Sequence, residues 1–164
     1  MARKKTLFHV RILEMITDKG DYLEYYGGAV KSCPREDWEQ VVCFDWAKYN
    51  YPQYVFWHSV NEGKKHIHTA LRDEQAGLLK GVSDFVILIG LSDGPYPFGA
   101  IELKRRGKSQ ASPVSKEQKD FLKRVRGRGG FAAVAYGNEQ FKLAWLDMLE
   151  KSGFSSKQGA KGFP

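Results

Sequence analysis

One stretch limits the fold more than any other: SDFVILIG, LSDGPYP and FGAIELK, read in succession from Ser83 to Lys104. Two short apolar runs flank a Gly/Pro/Asp cluster, the pattern of two strands joined by a turn. The pairing is therefore predicted to be an antiparallel hairpin. In the second run, side chains two apart point to one face. Ile101 and Leu103 can then face a core while Glu102 and Lys104 share the opposite side. An isolated E-x-K of this kind is usually a surface ion pair on a half-buried strand. Its surroundings argue for more.

The flanking segments predict the layers around that hairpin. PREDWEQVVCFDWAKYN, from Pro34, reads as a helix, with Pro and acids at its start and apolar residues at Trp38, Val41, Val42 and Trp46. YPQYVFWHS reads as a strand, and KKHIHTALRDEQAGLLKG as a helix closed by Gly81. After the hairpin, SPVSKEQKDFLKRVRGRGG is a helix opened by Ser115 with Gln118 three residues on, a capping-box pattern. FAAVAYG is an apolar strand, and NEQFKLAWLDMLEKSG a last helix capped by Asn138. The order α-β-α-β-β-α-β-α predicts an α/β fold: a central mixed β-sheet flanked by helices. Trp38, Trp46 and Trp145 are expected in the core. Residues 1–33 read as an N-terminal extension, with a strand in TLFHVRILEMI and mostly loop after it. Residues 34–151 form the main domain, and 152–164 a flexible basic tail.

A chain of 164 residues can bury a sizeable core without disulfides or metal. Cys33 and Cys43 lack metal-ligand spacing and read as reduced thiols in an intracellular compartment. No run approaches the ~18 apolar residues of a membrane span. The basic start, MARKK, leads into a segment broken by Arg11 and Glu14, which argues against a signal peptide. The net charge is +7, and it is unevenly spread: Lys104 to Arg128 holds ten Lys or Arg against Glu117 and Asp120. Such clustering points to a polyanion, most simply nucleic acid.

Asp84 opens the first strand of the hairpin and Glu102 lies near the end of the second. The hairpin can bring them together if the register is right. Two carboxylates on adjacent strands make a hard-oxygen site for Mg²⁺ or Mn²⁺, completed by water and phosphate oxygens. Lys104 can orient or deprotonate an attacking water and stabilise charge on a phosphate. His66 and His68, at i and i+2 on the expected helix, point to different sides and read as a solvated face.

GVSDFVILIG, GAIELKRRGK and SKEQKDFL together resemble the PD-(D/E)XK nuclease superfamily, and within it the VRR-NUC branch. The resemblance runs from about Trp38 to Leu149. It rests on an upstream helical glutamate, WHSVNEGKK, the G-x-x-D before the hairpin, the E-x-K strand and a glutamine in the next helix. It implies a restriction-endonuclease-like core and a metal-dependent endonuclease of DNA. Asp84, Glu102 and the backbone carbonyl of Leu103 would bind Mg²⁺ or Mn²⁺, with Glu39 supporting the metal shell. Lys104 would be the catalytic lysine, and Gln118 would reach the scissile phosphate or the water. That role competes with its capping role for one side chain. His58 and Asn61 would lie near DNA, and Arg105, Arg106, Lys108, Lys116, Lys119, Lys123 and Arg126 would contact phosphates. Lys116, Lys119, Lys123 and Arg126 have the spacing of one stripe beside the active strand.

Stand-alone relatives look like resolvases of branched DNA, which implies junction DNA as partner, a two-fold dimer, and the cytoplasm of a bacterial or phage-infected cell. Two departures stand out: LSDGPYPF lengthens the Asp-to-Glu spacing, and Ser83 replaces the family proline before the aspartate. A flap or single-strand nuclease of the same fold is one alternative. A non-catalytic nucleic-acid-binding protein is another, because function belongs to the site rather than the fold.

Overall fold

The computed structural model describes residues 15–59, 72–73, 75–90 and 96–151. Six strands form one sheet: β1 (Ile16–Asp18), β2 (Leu23–Tyr25), β3 (Val55–His58), β4 (Phe85–Leu88), β5 (Phe98–Lys104) and β6 (Phe131–Tyr136). Among the described residues three whole helices pack on it: α1 (Glu36–Asn50), α2 (Lys116–Gly127) and α3 (Asn138–Lys151). The strand order is β1-β2-β6-β5-β4-β3. β6 runs parallel to both β2 and β5, and the remaining pairs are antiparallel, so the sheet is mixed. β5 and β6 are joined through α2, the helical crossover that parallel neighbours require.

Alternation along the central strands divides two cores. On one face Phe85, Ile87, Ile101, Leu103, Ala133 and Ala135 pack against Cys43 and Ala47 of α1 and Phe141, Trp145 and Met148 of α3. On the other, Ala100, Ala132 and Val134 meet Leu122 of α2. Glu102 and Lys104 belong to this second face. β5 has neighbours on both edges, so its E-x-K is an interior feature and not an edge-strand ion pair.

Four local expectations are corrected. α1 turns a different face inward: Trp38 and Val41 are 55% and 59% exposed, while Glu39, Cys43 and Ala47 are buried. The i, i+4, i+8 stripe of Glu39, Cys43 and Ala47 brings α1 close to its neighbours, and Trp46 reaches Phe141 and Trp145 from its margin. Most of the helix expected before β4 lies outside the described residues; its described end, residues 72–73 and 75, closes at Gly77, not Gly81: Gly77 has φ +99° and Leu78 N–H reaches back to Asp73 O at 2.8 Å. That 6→1 bond after a left-handed glycine is a Schellman ending. The N-cap of α3 is Gly137, whose carbonyl accepts the Phe141 N–H, and Asn138 is the first helical residue. Finally, β2 and all of β1 but Ile16 occupy a segment read as mostly loop, with β2 added to the sheet beside β6. Apart from Met15 and Ile16, the strand expected in TLFHVRILEMI lies outside the described residues, as do Asn61, His66, His68 and 152–164. Cys33 and Cys43 are unpaired, and no described helix is long and apolar enough to cross a membrane.

Candidate active site

The register of the hairpin builds the site. Phe85 pairs with Ile101; continuing by one residue sets Asp84 opposite Glu102 on the face that carries Lys104. β4 stops pairing there, so nothing in the ladder occupies β5 beyond Ile101 on that edge. Lys104 turns its carbonyl toward β6, where it accepts the Gly137 N–H at 2.8 Å. One residue back, Leu103 turns to the opposite side, and its N–H donates to Asp84 Oδ2 at 2.8 Å. Strand alternation puts the Leu103 carbonyl on that side too.

Glu102 and Lys104 are 1% and 3% exposed, an unusual depth for an ion pair. Lys104 Nζ sits 3.0 Å from Glu102 Oε1 and donates to Gln118 Oε1 at 3.3 Å. The Gln118 amide nitrogen donates to the same Glu102 Oε1. Its oxygen also accepts the Ser115 N–H at 2.9 Å, while Ser115 Oγ accepts the Gln118 N–H at 3.2 Å. The capping box and the reach toward Glu102 therefore coexist: the amide oxygen serves the cap and the nitrogen faces the carboxylate.

That leaves Glu102 Oε2 buried with no partner. A buried carboxylate oxygen without a donor is costly. Burial, and then the Asp84 charge, push the Glu102 carboxyl up to about 8. Burial also raises Asp84, against the opposing pull of the Leu103 N–H and Lys104. Two adjacent carboxylates driven toward protonation, one with an open oxygen, are the donor set a hard divalent cation would relieve. Among the described residues no group of three or more His, Cys, Asp or Glu is arranged to hold a metal. The remaining ligands would have to be a backbone carbonyl, water or phosphate, which is how Mg²⁺ is commonly bound. The residues fit such an ion.

Gly81 explains the G-x-x-D spacing. A Cβ there would stand 2.3 Å from Glu117 C and 2.7 Å from Gln118 N, and its φ is +73°. Only glycine lets the approach to Asp84 pass this close to the start of α2, which locks Gln118 against the hairpin.

The helical acids are arranged differently from the expectation. Glu39 is buried, and its Oε2 accepts both the backbone N–H of Asn138, at 2.8 Å, and the Asn138 side-chain amide. It caps α3. The helical acid whose charge acts on both Asp84 and Glu102 is Glu36, whose Oε2 accepts the Arg105 N–H at 3.3 Å. Glu36 and Glu39 stand three apart on one helix face, so the sequence held no signal to choose between them. His58 stands at the rim: its Nδ1 lies 3.0 Å from the Asp84 carbonyl and also meets Gln40.

Several basic residues expected at DNA are tied down internally. Arg105 donates to the carbonyls of Pro34 and Cys33. Lys108 pairs with buried Glu24 at 2.7 Å and sits over the rings of Tyr26 and Tyr136. Arg126 makes two 2.7 Å bonds to Asp18, and Lys123 lies 3.9 Å from Asp21. The C-terminal half of the expected stripe thus leans toward the β1–β2 edge, away from Asp84. Arg106, Lys116 and Lys119 are exposed, without an ion pair among the described residues.

A mixed sheet whose interior strand carries E-x-K, faced by an aspartate from the adjoining strand and a glutamine from the next helix, is a nuclease core of the PD-(D/E)XK class. The model of the VRR-NUC domain matches residues 34–139, more than half of the chain. The chain belongs to the VRR-NUC family, a family of nuclease domains. A solved structure described as a VRR_NUC domain protein is similar in fold, with a TM-score of 0.58 over 77% of this chain and 96% of that one, at 22% identity. Comparison with curated proteins returns no match.

Proposed function

We propose that this chain is a metal-dependent endodeoxyribonuclease that hydrolyses phosphodiester bonds by water attack, with branched DNA as its substrate. The observation that carries the reading is the unpartnered, buried Glu102 Oε2 beside Asp84, with Lys104 bonded to the other oxygen. Asp84, Glu102 and the Leu103 carbonyl would hold Mg²⁺ or Mn²⁺, and Glu36 would add negative charge from α1. When bound, such an ion polarises the phosphate and lowers the pKa of a ligated water.

The protein's own groups do the rest. Glu102 Oε1 fixes Lys104 and Gln118 through two donors, so both arrive oriented before substrate does. Lys104 can direct a hydrogen bond to the attacking water or to a phosphate oxygen as charge develops there. Gln118, held by its capping box, can accept a hydrogen bond from the water through its amide oxygen in place of the one from Lys104, or turn its amide nitrogen from Glu102 to a phosphate oxygen. Exposed Lys116 and Lys119, on the same helix as Gln118, and Arg106, just beyond Lys104, supply positive charge for the flanking backbone.

Preference for branched DNA rests on the likeness to stand-alone relatives, and a two-fold dimer would present two sites to a four-way junction. The test is incubation with labelled four-way junction, flap, duplex and single-stranded DNA, with and without Mg²⁺ or Mn²⁺. Metal-dependent cutting, fastest on the junction, is expected. Equal cutting of all forms would remove the branched-DNA part. No cutting of any form would remove the enzyme reading.

A further inference from the structure

Among the described residues, the second face of the sheet is only partly roofed. α2 packs on β6 and β5, and the same face continues onto β4 and β3. Val55 pairs with Leu88 and Trp57 with Val86, while Val86 pairs with Ala100, which lies on the Glu102 and Lys104 face. Cross-strand partners point to one side of a sheet. Trp57, Val55 and Leu88 therefore share the face of the carboxylates. They are 44%, 62% and 49% exposed. An outer strand showing Val and Trp, with no charged residue between Val55 and His58, is otherwise a liability for a soluble sheet.

We infer that this apolar shelf, centred on Trp57, seats an unstacked base of the DNA strand beside the cleavage position. The inference rests on the nuclease reading and adds to it a recognition element. Asp84 is two residues from Val86, the partner of Trp57, so Trp57 stands one diagonal step from Asp84, with Glu102 one strand further on. Strands lie ~5 Å apart, so β3 is ~10 Å from β5. A strand whose phosphate lies at Glu102 must carry its next nucleotides across ground of this size. Bases have apolar faces and phosphates are charged; an uncharged aromatic shelf on the same sheet face as α2, where Lys116 and Lys119 are exposed, matches both. A second copy seated on the same shelf would lie across the approach to Asp84, which argues against it as occupant. A shelf that takes an unstacked base also favours DNA with unpaired or strained positions over continuous duplex.

The experiment measures binding in Ca²⁺, by anisotropy, of a labelled single-stranded oligonucleotide and of the matching duplex to wild type, Trp57→Ala and Trp57→Phe. Tryptophan emission is followed in a Trp38→Phe background, and mass by light scattering. Trp57→Ala is expected to weaken single-strand binding about 5- to 100-fold and duplex binding much less. Trp57→Phe should retain most of the affinity, and single-stranded DNA should quench an emission component missing from Trp57→Phe. Unchanged affinity and emission would overturn the inference, as would a dimer that Trp57→Ala converts to monomer, because the shelf would then belong to a second copy. Cleavage by wild type with no effect at Trp57 would remove this inference alone. Quenching without cleavage by wild type would sustain the shelf and remove the proposed reaction.

Discussion

Gly81→Ala is the substitution whose effect follows most directly from the geometry. The added Cβ would stand 2.3 Å from Glu117 C, 2.5 Å from Glu117 O and 2.7 Å from Gln118 N. All three are backbone atoms at the start of a helix, so none can swing aside. Opening the closest contact to the ordinary 3.4 Å requires α2 or the 81–84 segment to retreat by about 1.1 Å. The left-handed φ of +73° adds ~1–2 kcal/mol for any L side chain, and the overpacking ~1–3 kcal/mol more. A stability loss of roughly 2–5 kcal/mol is expected from urea or thermal unfolding. The retreat also pulls Gln118 from Glu102. A displacement of ~1 Å in a positioned group can cost on the order of 10²-fold in rate. Cleavage should therefore fall by about that factor under conditions where the variant is still folded. A Gly81→Ala protein with wild-type unfolding midpoint and wild-type rate would refute the close approach and the positioning argument built on it.

Lys104→Ala should lose stability, because it breaks a buried pair, and should slow cleavage severely under conditions where it is still folded. Lys104→Arg should rescue the rate poorly because guanidinium has a different shape and cannot act as a base; a fully active Lys104→Ala would reduce Lys104 to structure. Lys116→Glu with Lys119→Glu should flatten the slope of log K against log salt by ~0.9 per lost duplex phosphate contact, measured in Ca²⁺, whereas an unaltered slope would move the DNA path elsewhere. In metal-free protein, Glu102 holds its proton up to about 8 when folded against 4.5 when unfolded. The folded state binds more protons between those values, so its stability should decline as pH rises through that window. Urea titrations in EDTA should show that decline in wild type and less of it in Glu102→Gln; a rise with pH in wild type would contradict the assignment.

The sequence made the centre of the molecule legible and its margins obscure, for physical reasons. The hairpin from Asp84 to Lys104 combines two strong local signals, apolar runs and a Gly/Pro turn, and its register follows from which side chains must be buried. Ser115 and Gln118 lie three apart in one chain segment, so their box is local as well. α1 is legible as a helix but its inward face is not, because both faces carry apolar residues: Trp38 and Val41 compete with Cys43 and Ala47, and only packing decides. Glu36 and Glu39 share a face, and their different roles depend on Arg105 and Asn138, distant in sequence. β2 is three residues long and gains its ladder from β6, a partner no local pattern discloses. Gly81 looked like a helix stop because its contact lies on α2, more than thirty residues away.

The most direct test of the central claim is single-turnover cleavage of a labelled four-way junction by wild type and Glu102→Gln, titrated with Mg²⁺ and Mn²⁺ from a metal-free start. The change removes a charge at the buried pair while keeping shape, so binding in Ca²⁺ should fall little. Wild type should be inactive without metal and gain rate as either ion is added. Glu102→Gln should be slower by on the order of 10²–10⁴-fold, or ~3–5 kcal/mol of transition-state stabilisation. Cleavage by Glu102→Gln near the wild-type rate, or by wild type in excess EDTA, would contradict the account.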